Sequence, residues 1–140
     1  MTRWTPYLAE LQPAFFCEVS PELAELRRLE HGGWANIVSA RGVVEARVLV
    51  TARMTPLRVS GHVLHQIGIP FHGGPNGYTT GDSMKELSSI VLDPNVHIQE
   101  VKALTADIQP GRRPRGPGRP QLVRDYQQRA AITAETGLYR

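Results

Sequence analysis

The residues best suited to binding chemistry lie where an apolar strand signal, HQIGIP, runs into the glycines of FHGG. Residues 71–95 are rich in glycine and proline and contain one brief helical signal, at 83–88. A long irregular loop inside a compact domain is usually functional or disordered, and glycine lets backbone amides approach a ligand closely. We therefore expect function here, although the spacing of Gly73, Gly74 and Gly77 alone also fits a flexible turn.

Other arrangements of reactive side chains give only weak evidence for a metal or catalytic site. His62 and His65 are three residues apart, which on a strand places them on opposite faces and argues against a shared metal ion. His97 lies near Asp93, but such an isolated pair is more often a solvated loop contact than an acid–base couple. The sequence has no nucleophile-elbow spacing, and no helix that could bind a phosphate begins after the glycines. The sequence therefore predicts no catalytic residue and no metal ligand.

The single cysteine limits the chemistry further. Cys17 alone excludes an internal disulfide, a cysteine-based zinc site and a four-cysteine iron–sulfur cluster. It lies in the strand signal FFCEV, so we expect a small buried side chain. No run of eighteen apolar residues occurs, and the first residues lack the apolar region of a signal peptide. We expect one domain with no direct membrane insertion.

The net charge of +3 belongs to the C-terminal segment. Residues 111–140 hold seven arginines against Asp125 and Glu135, a net of +5, whereas the rest of the chain sums to −2. Arginine forks match phosphates well, but a segment such as RRPRG is usually a solvated linker. Nucleic acid is therefore not the favoured partner. Only two lysines occur in the whole chain, Lys85 and Lys102.

The elements that would position the loop are mostly strands. Alternating apolar residues over 34–51, with a turn at Ala40-Arg41-Gly42, predict a half-buried hairpin. Ser20-Pro21-Glu22 is a helix start and Gly32-Gly33 its expected end. Further strands are predicted at 15–19, 56–59, 63–69 and 98–108, with a short apolar-faced helix near Trp4 to Leu11 and another over 121–130.

Seven segments occur along the chain in the order RWTPYLAELQP, FFCEVSPELAELR, EHGGWANIVSARGVVEARVLVT, PLRVSGHVLHQIGIPFHGG, GDSMKELSSIVLDPN, IQEVKALTADIQPGRRPRG and ITAETG. In that order they resemble the C-terminal molybdopterin-dinucleotide-binding domain of the large (alpha) subunit of formate dehydrogenase, the respiratory type above all. The resemblance implies an all-β fold, a double-psi β-barrel with minor helices. It implies that residues 1–108 form this domain, N-terminally truncated and lacking its first strand. Residues 109–140 would form an Arg/Pro/Gly-rich linker and tail.

The resemblance also implies which residues contact the cofactor. One group matches a strand-end segment, tyrosine-histidine-tryptophan-glycine in the family, and a second matches the start of the last strand, where a lysine reaches the pterin or phosphate region. A third group matches the tail of a further cofactor-contacting loop. The first group is Phe71, His72 and Gly74. The second group is Glu100, Val101 and Lys102, and the third is Thr2 and Arg3.

Two positions depart from the family pattern. Gly73 stands where the family usually has tryptophan, so we expect the loss of a planar surface and a looser loop. Lys85 stands where an asparagine usually contacts the cofactor, and an ammonium cannot accept a hydrogen bond as an amide can.

The resemblance implies that the chain binds part of a molybdopterin guanine dinucleotide whose molybdenum or tungsten is held by a parent enzyme. The parent would oxidise formate, with its iron–sulfur cluster and its metal-ligating selenocysteine or cysteine in domains that this chain lacks. Its partners would be the remainder of the formate dehydrogenase large subunit and an iron–sulfur subunit, in the periplasm or the cytoplasm. The chain alone is not expected to be catalytic. A stand-alone interaction module with an arginine-rich tail and a non-functional remnant remain the alternatives.

Overall fold

A computed structural model of the chain describes residues 4–71, 73–74, 77–90, 92–99 and 104–135. Its centre is a curled, five-stranded sheet that forms half of a barrel, with the strand order β6-β1-β3-β2-β7. This mostly β, barrel-like architecture confirms the predicted fold class. The strands of the sheet are β1 (Phe16–Val19), β2 (Trp34–Val38), β3 (Val43–Val50), β6 (Ile67–Gly68) and β7 (Asp107–Pro110).

The predicted hairpin is the middle of this sheet. Strands β2 and β3 pair antiparallel with Ile37 opposite Val44, and Ser39 to Gly42 form the connection. Strand β1 pairs parallel with the other edge of β3, with Cys17 opposite Val48. Strands β2 and β3 are therefore both paired on two edges, and four of the five residues of β2 are buried.

One face of the sheet carries the hydrophobic core, because side chains alternate between the two faces of a strand. Cys17, Ile37 and Val44 are fully buried there. The full burial of Cys17 confirms the prediction of a small buried residue, and this burial raises the pKa of its thiol to about 12. The core is completed by residues from a helix and a loop, namely Leu23, Ala24, Leu29, Met84 and Leu87.

Helix α2 (Pro21–Arg27) begins as predicted but ends earlier. The Oγ of Ser20 accepts a hydrogen bond from the Leu23 amide at 3.1 Å, the expected N-cap. Arg28 then adopts the left-handed conformation, with φ of 55°, and the Leu29 amide donates to the Ala24 carbonyl at 2.8 Å. This Schellman-type ending turns Leu29 into the core, so the helix stops before Gly32-Gly33.

The predicted length and position of the last strand were wrong. Strand β7 covers only Asp107–Pro110, whereas a strand was expected over 98–108. Its partner β2 offers only Ala35–Val38 for pairing, because the chain turns away immediately afterwards at Ser39. Residues 98–99 lie outside the sheet, and the Leu92–Gln99 contact is an isolated bridge.

The remaining elements project from the sheet. A two-stranded hairpin is formed by β4 (Leu57–Val59) and β5 (His62–Leu64). Helix α1 (Pro6–Leu11) forms near the predicted position, but its expected apolar face is exposed: Tyr7 is 67% and Leu11 81% accessible. Helix α3 (Gly118–Glu135) is longer than the 121–130 prediction. Within the described ranges, no helix has the length and apolar character needed to cross a membrane.

Candidate functional site

Most of the predicted cofactor contacts lie outside the described residues. This is the case for Thr2, Arg3, His72, Glu100, Val101 and Lys102. Of the eight, the structure describes Phe71, whose side chain is exposed, and Gly74, which is buried. The assignment of these eight residues therefore stays a prediction, and the geometry around them comes from their described neighbours.

The glycine loop is packed tightly against Phe15, the residue before β1. Phe15 is buried, and a Cβ atom on Gly73 would lie 2.4 Å from its Cδ2 atom. A Cβ on Gly81, whose φ is +117°, would lie 2.5 Å from the Phe15 Cβ. Real Cβ atoms do not approach so closely, so only glycine fits at either position. Phe15 fills the space beside Gly73, and the expectation that glycine loosens the loop stays a prediction.

The second half of the loop is anchored on the turn of the central hairpin. The hydroxyl of Ser39 donates to the Leu87 carbonyl at 2.8 Å. Gly42 lies so close to the Glu86 carbonyl that a Cβ atom there would be 2.3 Å away. Between these contacts, Met84–Glu86 form a short 3-10 helix, which fulfils the helical signal at 83–88. This part of the loop is thus held through backbone contacts with the hairpin turn.

An ion pair fixes the middle of the loop. The Asp82 carboxylate accepts hydrogen bonds from Nε and an Nη atom of Arg113, at 2.6 and 2.9 Å, and from the Glu45 amide at 2.9 Å. Although burial acts to raise the pKa of Asp82, these hydrogen bonds lower it overall. The hydrogen bonds to Asp82 raise the pKa of Arg113. The pair is therefore fully charged at neutral pH.

A cationic groove opens beside this loop. It has a volume of about 600 Å³ and lies between the hairpin turn, the 3-10 helix and the start of α3. Four basic side chains line it, Arg41, Lys85, Arg119 and Arg124, against the single carboxylate of Glu86, which is paired with Arg119. Among the described residues, Arg41, Lys85 and Arg124 have no carboxylate partner. This donor set fits an anionic ligand such as a pyrophosphate.

A second hollow, of about 620 Å³ and mostly apolar, lies between α2 and the β4–β5 hairpin. Leu104, which lines it, follows the predicted contact Lys102 by two residues. His65 also lines it, and its Nδ1 is buried without a hydrogen-bond partner in the described part of the chain. An apolar wall with an unsatisfied ring nitrogen fits a flat ligand that carries hydrogen-bonding groups.

No metal site or acid–base pair forms among the described residues. No group of three histidine, cysteine or carboxylate ligands occurs in those ranges. The Asp93 carboxylate accepts hydrogen bonds from the amides of Val96 and Asn95, which lower its pKa. His97 is joined to Asp93 only through the backbone, its amide donating to the Asp93 carbonyl at 2.9 Å. Asp93 therefore caps a turn.

Sequence reasoning missed Asp82 and Arg113. It expected the RRPRG stretch to be a solvated linker, and that expectation was wrong, because Arg113 and Arg115 pair with carboxylates of the sheet and loop. The charge distribution along the sequence could have indicated these ion pairs. Glu45, on the outward-facing side of β3, and Asp82 are acidic residues in a body of net negative charge, next in the chain to a strongly basic segment.

Comparison with known proteins shows the family to which the chain belongs. The family model described as "Molydopterin dinucleotide binding domain" matches residues 1–105. The chain is 40% identical over 112 residues to "Formate dehydrogenase subunit alpha" of Megalodesulfovibrio gigas, an alignment covering 77% of this chain and 11% of that protein. It is 38% identical over 107 residues to "Formate dehydrogenase 2 subunit alpha (cytochrome c-553)" of Nitratidesulfovibrio vulgaris, covering 76% and 11%.

A third relative, "Formate dehydrogenase, nitrate-inducible, major subunit" of Escherichia coli, is 34% identical over 110 residues, with 76% of this chain and 11% of that protein covered. The chain thus spans about a tenth of the length of the curated relatives it matches.

Proposed function

Because the chain belongs to the molybdopterin dinucleotide binding domain family, we propose that it covers part of a molybdopterin guanine dinucleotide. It does so as the C-terminal portion of the large subunit of a formate dehydrogenase-like molybdenum or tungsten oxidoreductase. The observation that carries this proposal is the match of residues 1–105 to the family, together with relatives that are formate dehydrogenase alpha or major subunits.

The described surface supports an anionic, hydrogen-bonding ligand. The cationic groove is lined by Lys85, and the apolar hollow is lined by Ile69 and Leu104, each two residues along the chain from a predicted contact. Lys85 takes the place of an amide in the family pattern and would contribute charge where the amide contributes a hydrogen bond. In this proposal His72, Lys102 and Gly74 position and neutralise the dinucleotide. The cofactor, when bound, supplies the two-electron chemistry through its metal.

The exposed apolar residues support a place inside a larger protein. The four apolar side chains of the β4–β5 hairpin are each 40–49% exposed, and Trp4, Tyr7 and Leu11 of the N-terminal region are exposed further. Apolar groups concentrated in this way usually mark interaction surfaces. We propose that the remainder of the large subunit covers them and that an iron–sulfur subunit completes the complex. The parent enzyme would oxidise formate to carbon dioxide and pass two electrons to iron–sulfur centres.

The division into a cofactor-binding domain over 1–108 and a C-terminal segment over 109–140 is part of this proposal. The alternative of an interaction module that binds nucleic acid through its tail has lost support. Arg113, Arg115 and Arg119 are paired with carboxylates of the body, which leaves them less available to phosphates.

The test is equilibrium binding of molybdopterin guanine dinucleotide, released from a purified molybdoenzyme, to the purified 140-residue chain. Lys102→Ala should weaken binding at least tenfold, whereas Arg58→Ala, on the exposed β4 strand, should leave it unchanged. Failure of the unaltered chain to bind the dinucleotide at millimolar concentration would refute the proposal. Salt-sensitive DNA binding lost on deletion of 111–140 would instead favour the interaction module.

A further inference from the structure

Residues 112–119, termed here the arginine strap, begin after the family-matched range and lie across the outward face of the central hairpin. Arg112 lies over the Trp34 ring, 4.2 Å from its centroid, and Arg47 lies over the same ring at 4.1 Å. Arg115 pairs with Glu45 at 2.7 Å, and Arg119 pairs with Glu86. The strap therefore joins the sheet to the loop that carries Lys85.

Arg113 is the best-enclosed contact of the strap. Its side chain and that of Asp82 are 14% and 13% exposed, compared with 57% for Arg115. Its guanidinium makes a two-point contact with the Asp82 carboxylate, and its backbone amide donates to Glu45 Oε2 at 3.2 Å. A two-point arginine–carboxylate contact fixes both distance and orientation, which a lysine cannot do.

The backbone on either side of Asp82 has its own anchors. Upstream, the amide of Thr80 donates to the Pro13 carbonyl at 2.9 Å, and downstream, Ser39 holds the carbonyl of Leu87. Asp82 lies between these anchors, in the same turn region as the 3-10 helix that carries Lys85. Removal of Arg113 would leave the Asp82 carboxylate, among the described residues, with the Glu45 amide as its remaining hydrogen-bond donor, so the loop would lose its central constraint.

We propose that Arg113 is a positioning residue, which holds the Asp82–Leu87 segment, and with it Lys85, in the geometry that receives the dinucleotide. The inference rests on the proposed function for its ligand, although the constraint on the loop can be measured without any ligand. It assigns to a segment outside the family-matched residues 1–105 a direct part in shaping the site.

The test compares Arg113→Gln, Arg113→Lys and the matched control Arg115→Gln in the full chain. Hydrogen exchange should accelerate at least tenfold at the amides of Glu45, Glu86 and Leu87 in Arg113→Gln, while the amides of β1 and of Val48 keep their rates. The dissociation constant for molybdopterin guanine dinucleotide should rise about tenfold. Arg113→Lys should not restore either value, because it keeps the charge and loses the two-point contact. Arg115→Gln should behave as the unaltered chain.

Acceleration at every sheet amide in Arg113→Gln would mean a purely structural role and would overturn the proposal. Unchanged exchange at the amides of Glu45 and Leu87, or full rescue by Arg113→Lys, would also overturn it. If Arg113→Gln does not fold, Asp82→Asn removes the same ion pair from the other partner and must accelerate the same amides. If the unaltered chain binds no dinucleotide, the proposed function fails, but the exchange measurement still decides whether Arg113 constrains the loop.

Discussion

The family pattern suggests a substitution that the structure predicts to be harmful. The resemblance implies a tryptophan at position 73, so restoring it would be expected to improve a cofactor site. In this chain even a single added carbon at Gly73 would lie 2.4 Å from the Phe15 ring and 2.5 Å from the Asp82 carbonyl. Carbon atoms pack at about 3.5–4.0 Å, so the added atom would be roughly 1 Å too close on two sides.

The size of the effect follows from this overlap. Overpacking in a filled interior costs about 1–3 kcal/mol, so Gly73→Ala should destabilise the fold by that amount. An unfolding entropy of about 2.1 cal/mol/K per residue converts this loss into a fall in Tm of roughly 3–10 °C for 140 residues. Gly73→Trp must also displace the buried Phe15 ring, which adds about 3–5 kcal/mol.

Thermal unfolding followed by calorimetry measures these effects. Gly118→Ala serves as a control, since its added carbon meets only Pro114, at 3.1 Å, at the start of a helix. The double variant Phe15→Leu, Gly73→Ala should lose less stability than the two single variants together, because part of the clash involves the ring. A Tm of Gly73→Ala within about 1 °C of the unaltered chain, or strict additivity in the double variant, would refute the reasoning.

Three other properties can be tested on the same chain. Cys17, with its pKa raised to about 12 by burial, should resist thiol reagents at pH 8 in the folded chain and react after denaturation, as titration with a chromogenic disulfide would show. Ser20→Ala should lower the free energy of unfolding by about 0.5–2 kcal/mol in urea titrations, because the Leu23 amide loses its cap. The pKa of Asp82 in the folded chain lies below its ordinary value. The stability that the charged Asp82 contributes is therefore complete above about pH 4 and is lost as the pH falls through the lowered pKa. Asp82→Asn should flatten the acid side of a plot of Tm against pH.

Local signals in the sequence predicted the central hairpin, the Ser20 cap and the burial of Cys17. Each depends on residues close together in the chain, where alternation, turn chemistry and capping leave a clear pattern. The end of α2 could not be predicted in this way. It depends on Leu29 reaching the core, so tertiary packing ended the helix before the glycines did.

The outward face of β3 was harder to foresee for a similar reason. Glu45 and Arg47 alternate with buried apolar residues and predict a solvent-exposed face, yet the side chain of Glu45 is only 12% exposed. The segment that covers it begins more than sixty residues later, at Arg112 and Arg113. Gly73 shows the same limitation, since only the folded chain reveals that the Phe15 ring occupies the space beside it.

The late position of β7 in the chain has a consequence for synthesis. Asn36 on β2 and Gly111 just after β7 are joined by a hydrogen bond across 75 residues. At roughly 5–20 residues per second, the ribosome would need about 4–15 s to make β7 after β2. During that interval β2 has an open edge, and the Glu45 carboxylate lacks its partner Arg115. The nascent chain therefore passes through a period in which its central hairpin can pair with other chains, and chaperone protection would matter most then.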